Sequence, residues 1–169
     1  MPGNVLVAYG STNGSTAQIA EAVAAVLCKE GLTAEALPAG SVPDVTRYDA
    51  VVVGGGLYAG RWQKDARRFV RSNRRALAER PLWLFSSGPL DASASEKDIP
   101  PVHGVRRAMA RLDARGHVTF GGCLEEGAKG RIARSIVRNG KGGDFRDFPE
   151  IEAWAARVAG ELLDEQAKN

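Results

Sequence analysis

Short apolar runs alternate along the chain with longer segments in which apolar residues recur every three or four positions. The first pattern is typical of buried strands, and the second is typical of amphipathic helices. Five strands are predicted, at Val5–Tyr9, Leu32–Leu37, Asp49–Gly54, Pro81–Ser86 and His117–Gly122. Five helices are predicted between and after them, at Thr16–Glu30, Gln63–Leu77, Val102–Arg115, Ile132–Arg138 and Phe148–Glu165.

This alternation predicts an α/β fold with a doubly wound parallel sheet and helices on both faces. The third and fourth strands are apolar at nearly every position, as expected for strands buried on both faces of such a sheet. The 169 residues contain no internal repeat and suit a single domain over residues 1–169. Ligands of such sheets bind beyond the carboxyl ends of the strands, so the loops after strands one, three and four are the places to look for a site.

The loop after the first strand, YGSTNGST, is almost entirely polar. It joins a strand to the start of a helix, where unpaired backbone N–H groups and the helix dipole favour an anion. Its hydroxyls add further donors, and Gly10 and Gly14 allow the backbone to approach a ligand closely. The loop lacks both the Gly-Lys-Ser/Thr ending of a Walker loop and the G-x-G-x-x-G dinucleotide pattern. We therefore expect it to bind a phosphate by another arrangement, the alternative being an ordinary serine-capped helix.

The run STNGST resembles the flavodoxin phosphate loop, S/T-x-T/N-G-x-T. The resemblance implies that FMN is the cofactor and that hydroxyls and amides, without a lysine, hold its 5′-phosphate. It also implies a flavodoxin-like five-stranded sheet of strand order 2-1-3-4-5. The phosphate-binding residues implied here are Ser11, Thr12, Asn13, Gly14, Ser15 and Thr16.

Two further loops are expected to hold the flavin ring. In flavodoxins the loop after the third strand lies near flavin N5 and often supplies an aromatic residue, a role assigned first to Tyr58 and second to Trp62. The alternative is that both aromatics only pack against the following helix. Such stacking contributes about 0.5–1.5 kcal/mol beyond area burial. The predicted ring-binding residues are Gly55, Gly56, Leu57, Tyr58, Ala59 and Gly60 after strand three, and Ser86, Ser87, Gly88 and Pro89 after strand four.

The loop after the fourth strand contains no aromatic residue to cover the other ring face. Flavodoxins often place a tyrosine there, whereas this sequence has no aromatic between Ser86 and Gly116. One face of a bound flavin is therefore expected to be open. An open face suits a substrate or a quinone better than it suits electron transfer from a shielded cofactor.

Charge separates this chain from the usual acidic electron carriers. The net charge is +3, and residues 61–80 hold eight basic residues against two acidic ones. Such a field attracts acidic partners, anionic lipid or polycarboxylate substrates, the alternative being a solvated helix face. Nucleic acid is not expected as a partner, because the bases come without interleaved aromatics or a known binding motif.

The remaining chemistry-bearing residues predict neither a metal site nor a disulfide. Cys28 and Cys123 are expected to be small core residues, and His103 and His117 have no other ligand residue at metal-binding spacing. No apolar run approaches the roughly 20 residues of a membrane span, and the N-terminus leads directly into a strand without a signal peptide. A cytoplasmic location is therefore predicted.

Over nearly its whole length the chain most resembles the menaquinone-dependent protoporphyrinogen oxidases and their flavodoxin-domain relatives. Besides the phosphate loop, the resemblance rests on GGGLYAGRWQKDARRFVRSN, FSSGPLDASASEKDIPP, FGGCL and DFRDFPEIEAWA. It implies an FMN-dependent oxidase that removes hydrogens from protoporphyrinogen IX and passes them to a quinone at the membrane.

One segment departs from that family. Residues 125–144 are shorter, more polar and richer in glycine than the basic, partly apolar insert of those oxidases. The bases retained there predict at most weak peripheral contact with the inner face of the membrane, since each contributes only about 1 kcal/mol near an anionic surface. They are Lys129, Arg131, Arg134, Arg138 and Lys141.

The leading expectation is a two-electron FMN-dependent oxidoreductase with a small reduced substrate and a quinone acceptor. The alternatives are a non-enzymatic electron carrier that serves a redox protein, and a flavin-free relative that binds another phosphate-bearing ligand. No general base is evident, and the candidate catalytic residues are Tyr58, Arg61 and His103. The sequence assigns no oligomeric state.

Overall fold

The computed structural model describes residues 3–12, 14–58, 60–88, 99–124 and 143–168. The strands are β1 (Asn4–Gly10), β2 (Thr33–Pro38), β3 (Ala50–Tyr58), β4 (Arg61–Trp62), β5 (Leu82–Ser87), β6 (Gly116–Phe120), β7 (Cys123–Leu124) and β8 (Gly143–Asp144). The helices are α1 (Ser15–Lys29), α2 (Lys64–Ser72), α3 (Arg74–Ala78), α4 (His103–Leu112) and α5 (Phe148–Lys168). Two 3₁₀ turns, Ala39–Ser41 and Val45–Arg47, lie between β2 and β3.

The main sheet has the order β2-β1-β3-β5-β6, and its five strands are parallel. Counted among the five predicted strands this is the order 2-1-3-4-5, so the predicted flavodoxin-like fold is confirmed. The short β4 adds an antiparallel edge to β3, and β7 and β8 form a separate two-stranded ladder.

Each face of the sheet carries its own apolar core. On one face, Val5, Val7 and Phe85 pack with α1 and α5. On the other face, Leu6 and Leu84 pack with α2, α3 and α4. This alternation follows from the pleat, which sends successive side chains of a strand to opposite faces. Helices therefore cover both faces, as the sequence predicts.

The third strand is longer than predicted. It continues past Gly54 through Gly55 and Gly56 to Tyr58, so Gly55 and Gly56 belong to the sheet and not to a loop. Glycine is needed at Gly54 and Gly55 because large rings fill the space that a side chain would take. A Cβ built at Gly54 would lie 2.0 Å from Phe85 Cζ, and one built at Gly55 would lie 2.5 Å from Trp62 Cγ.

Two other predictions are corrected. The helix predicted over Gln63–Leu77 is broken between α2 and α3 at Asn73, whose side-chain amide donates to the Phe69 carbonyl at 2.9 Å and terminates α2. Cys28 is exposed on α1 and is not a core residue, although its thiol donates to the Ala34 carbonyl at 3.3 Å. Cys123 is half-buried.

The described residues include no helix that is both long and apolar enough to cross a membrane. In the same part of the chain, no three His, Cys, Asp or Glu side chains are grouped so as to hold a metal ion. The helix predicted over Ile132–Arg138 and the five bases of residues 125–144 lie outside the described residues.

Candidate functional site

The strand register brings the three predicted loop segments to one edge of the sheet. Gly10, at the end of β1, pairs with Gly55 of β3. Gly55 and Gly56 pair in turn with Ser86 and Ser87 of β5. The carboxyl ends of β1, β3 and β5 therefore lie side by side, which is the usual position of a ligand site in a doubly wound sheet.

The loop between β1 and α1 is held in a shape that leaves the helix start uncapped. Gly14 takes a positive φ of 85°, which glycine adopts without steric cost, and its backbone N–H donates to Ser11 Oγ at 2.9 Å. Among the described residues no side chain caps α1, and its first backbone bond runs from Gln18 N–H to the Gly14 carbonyl. The alternative of an ordinary serine-capped helix is thus not what the structure contains. The unpaired N–H groups of the first turn are available to an anion.

Thr16 provides the most specific feature of the site. Its side chain is completely buried, and among the described residues its Oγ1 has no hydrogen-bond partner. An unsatisfied buried hydroxyl costs about 1–3 kcal/mol, so such groups are rare without a reason. A phosphate oxygen beside the helix start would accept a hydrogen bond from this hydroxyl. The residues present therefore fit a bound phosphate group.

Tyr58 lies next to Thr16. A Cβ built at Gly56 would be 3.0 Å from Thr16 Oγ1 and 3.1 Å from Tyr58 Cε2, so the hydroxyl and the ring approach the same point of β3 from two sides. Tyr58 is half-buried and pairs with Arg61 across the β3–β4 hairpin. Directly paired residues of an antiparallel ladder project to the same face. Tyr58 therefore lies near the start of α1, and Arg61 is its cross-strand neighbour in the hairpin.

Trp62 is placed differently from the sequence-based expectation. Only 4% of it is exposed, and its ring lies against Gly55 within the core on the α2 side of the sheet. Its indole N–H donates to Ser86 Oγ at 2.9 Å, and that oxygen lies 2.9 Å from His117 Nε2. Trp62 is therefore a core residue, and Tyr58 is left as the aromatic that can stack on a ring. The Ser86 hydroxyl is also engaged within the protein.

The other predicted site residues differ in their exposure and contacts. Thr12 is exposed, Ser11 and Ser15 are half-buried, and Ser87 is buried. The Gly88 amide donates to the Phe120 carbonyl at 3.1 Å and is thus used within the fold. A Cβ built at Gly88 would lie 2.7 Å from Leu57 Cβ, which shows that the residue after β5 lies against the end of β3. Three predicted residues lie outside the described part of the chain: Asn13, Ala59 and Pro89.

The three candidate catalytic residues are not all in one place. Arg61 and His103 line a cleft of about 420 Å³ on the side of α2 and α4, whereas Tyr58 is not part of its lining.

Tyr9, at the end of β1, also lies at this edge of the sheet, but it is not suited to act as a base. Burial raises its pKa, and the negative charge of Glu21 raises it further. A tyrosine with a raised pKa keeps its proton at neutral pH.

Arg146 was not predicted as a part of this region. Its guanidinium forms a salt bridge of 2.9 Å with Asp144, and the hydrogen bond in this pair lowers the pKa of the Asp144 carboxyl. The guanidinium also donates to the Gln18 side chain in the first turn of α1. It lies 5.1 Å from the centre of the Phe148 ring. The motif DFRDF was visible in the sequence, but no local pattern indicates a contact with a residue 128 positions away.

Comparison with known families and structures gives a consistent result. The family described as Flavodoxin domain matches residues 6–139. No curated protein matches the chain. Among solved structures, the chain is similar to an archaeal flavodoxin (TM-score 0.60, 13% identity, covering 94% of this chain and 98% of that one). It is also similar to the flavodoxin of Megasphaera elsdenii (TM-score 0.63, 15% identity, covering 92% and 98%). A third similar structure is the rubredoxin oxygen:oxidoreductase of Desulfovibrio gigas (TM-score 0.64, 12% identity), of which the match covers 37%.

Proposed function

Because this chain belongs to the flavodoxin domain family, we propose that it binds FMN and functions as a redox protein. The observation that carries the proposal is the buried Thr16 hydroxyl, which has no partner among the described residues and lies at an uncapped helix start. A phosphate group supplies the acceptor that this hydroxyl lacks. The hydroxyls of Ser11, Thr12 and Ser15 are the further donors proposed for the same phosphate.

Around the ring, the chain's own residues have separate roles in this proposal. When bound, FMN supplies a centre, N5, that takes a hydride from a reduced substrate and passes two electrons on to an acceptor. Tyr58 covers one face of the ring by stacking. Gly56 leaves room for the ring to approach β3, since a side chain there would already crowd Thr16 and Tyr58. The Gly88 amide makes no contribution to the ring, because it is bonded to Phe120.

In this proposal the positive charge of Arg61 favours two-electron reduction of the flavin. It is exposed, lies opposite Tyr58 in the hairpin, and forms no salt bridge with any described residue. A positive charge about 4 Å from an anionic reduced ring contributes about 1 kcal/mol in bulk water and about 4 kcal/mol at an effective dielectric of 20. Such a charge raises the potential of the couple that forms the anion, in contrast to the acidic surroundings of low-potential carriers.

On this basis the leading proposal is a quinone-linked oxidoreductase of the protoporphyrinogen oxidase type. The resemblance of the loop and helix sequences supports it, as does the basic surface that begins at Arg61 and continues along α2 with exposed Lys64, Arg68 and Arg71. The first pair to assay is protoporphyrinogen IX with menaquinone. An electron carrier is the second candidate, because the archaeal and Megasphaera elsdenii structures similar to this chain are flavodoxins matched along 98% of their length.

Two measurements test this proposal in sequence. The first is a fluorescence titration of the protein with FMN, in which the double variant Thr12→Ala and Ser15→Ala should weaken affinity more than about tenfold through loss of hydrogen bonds to a charged group. Absence of FMN binding, or unchanged affinity in the variant, would reject the phosphate assignment and leave some other phosphate-bearing ligand.

The second measurement is an anaerobic redox titration of the FMN-loaded protein. Reduction in a single two-electron step, together with rapid reoxidation by small quinones, supports the oxidoreductase. Two well-separated one-electron steps, with quinone reoxidation near zero, support the carrier and reject the quinone-linked reaction. The variant Arg61→Gln should lower the measured potential, and a matched change at Arg71→Gln should have a smaller effect, because Arg71 lies further along α2.

A further inference from the structure

A cleft of about 420 Å³ opens between the β3–β4 hairpin and the helices α2 and α4. Its apolar lining includes Val70 of α2, Val105 and Ala108 of α4, and Val102 just before α4. The volume lies in the roughly 300–1,000 Å³ range of small-molecule sites. Apolar walls of this kind favour an apolar body over a nucleotide or an inorganic ion.

The same cleft is lined by three residues that carry or can carry positive charge, Arg61, Arg67 and His103. None of its described lining residues is acidic. Arg67 is oriented by a bond from its Nε to the Trp62 carbonyl at 3.0 Å, which leaves its terminal nitrogens for another acceptor. Within the described ranges neither arginine takes part in a salt bridge. The cleft thus combines apolar walls with positively charged side chains that form no salt bridge with a described carboxylate.

We propose that this cleft binds a small amphipathic carboxylate, a molecule with one carboxylate group and an apolar body. A guanidinium group binds a carboxylate through two parallel hydrogen bonds. Arg67 would therefore bind the carboxylate of the ligand, and the valines of the cleft would contact its apolar body. A neutral apolar ligand would leave the cations unused. Arg61 is common to this cleft and to the proposed flavin site, but the inference goes beyond the proposed function, because neither residues 11–16 nor Tyr58 lines the cleft and its ligand does not require a bound flavin.

Octanoate is the probe for the test. The ¹⁵N-labelled protein, as purified and again after addition of FMN, is titrated with octanoate and separately with octanol while amide signals are followed by NMR. Octanoate should shift the amides of Gly60, Arg61, Gly104 and Val105 to saturation. Octanol, which has the same chain without the charge, should bind about fivefold more weakly or worse, because it lacks the charged hydrogen bonds.

Variants distinguish binding in the cleft from general attraction to the basic surface. Arg67→Gln should weaken octanoate binding about fivefold or more, and Arg67→Lys should restore part of the loss because it keeps the charge. Arg71→Gln is the matched control, since it removes the same charge from the same helix outside the cleft, and it should change the affinity less than about twofold. Ala108→Phe should reduce binding by filling the cleft without changing charge.

Three results would overturn the proposal. One is the lack of a saturable shift in these four amides, including shifts confined to the start of α1. Another is equal affinity for octanol and octanoate. The third is an equal loss of affinity in Arg67→Gln and Arg71→Gln, which would indicate attraction to the basic surface as a whole. The octanol comparison and Ala108→Phe keep the test decisive if Arg67→Gln does not fold.

Discussion

Replacing Thr16 by valine tests the phosphate site through two quantities that should move in opposite directions. Valine keeps the shape and β-branching of threonine and replaces the hydroxyl by a methyl group. In the protein without ligand, that hydroxyl is completely buried and has no partner among the described residues. In the protein with FMN, the same hydroxyl is proposed to donate to the phosphate.

The expected magnitudes follow from these two situations. Removing an unsatisfied buried hydroxyl relieves part of a desolvation penalty of about 1–3 kcal/mol, so Thr16→Val should stabilise the ligand-free protein. For a chain of this size each kcal/mol raises Tm by about 2–4 °C. Removing a hydrogen bond to a charged group costs about 1.5–3 kcal/mol, which corresponds to about 10- to 150-fold weaker FMN binding.

The assay pairs thermal unfolding of the ligand-free protein with an FMN titration of the same preparation. Thr119→Val is the control, because Thr119 is 4% exposed but its hydroxyl donates to the Ile99 carbonyl at 3.3 Å. The same chemical change should therefore destabilise the protein at Thr119, by about 1 kcal/mol, and leave FMN affinity unchanged.

A loss of stability in ligand-free Thr16→Val, comparable to that in Thr119→Val, would refute the reasoning, because it would show that the Thr16 hydroxyl is satisfied without a ligand. Unchanged FMN affinity would refute the proposed hydrogen bond between Thr16 and the phosphate, and it would place the phosphate elsewhere. A gain in stability together with weaker FMN binding is the outcome that only the proposed role explains.

Two further predictions concern the fold. Gly54→Ala should destabilise the protein by about 1–3 kcal/mol or more in denaturant unfolding, because the new methyl would meet the Phe85 ring at 2.0 Å; Gly40→Ala, with open space around it, is the control and should change little. Burial is the main cause that raises the pKa of Tyr48 from 10.0 to about 12, and the hydrogen bond to Glu35 is the second. The contribution of the Tyr48 hydroxyl to stability is therefore complete below pH 10 and is lost as pH rises from 10 to 12. The stability difference between wild type and Tyr48→Phe should narrow over that range in unfolding measured at several pH values, and a constant difference would contradict the raised pKa.

Much of this architecture could be predicted because its signals are local. Runs such as Val5–Tyr9 and the periodic helices established the order of strands and helices, and that order restricts the chain to a doubly wound sheet. The polar loop before α1 was identified from composition and position alone. Its role as a phosphate site stays a prediction, which the Thr16→Val experiment tests.

Several of the failed predictions depend on contacts between distant parts of the chain. Gly55 and Gly56 were expected to form a loop after the third strand. In the fold, the Trp62 ring occupies the space beside Gly55, Thr16 and Tyr58 lie beside Gly56, and β5 continues the ladder next to both glycines. Asn73 interrupts a helix that periodicity alone would continue.

Local signals in the sequence predict the fold class and most of the element order, because periodicity and glycine positions act within a few residues; the polar loop before α1 stays a predicted phosphate site. The packing of distant elements places Tyr58 beside Thr16 while Trp62 is buried, brings Arg146 to α1, and brings Arg61 and His103 to one cleft. The physical reason is that the direction of a side chain in a hairpin and the partner that fills the space beside it depend on which elements pack together. That information is not contained in any short stretch of the chain.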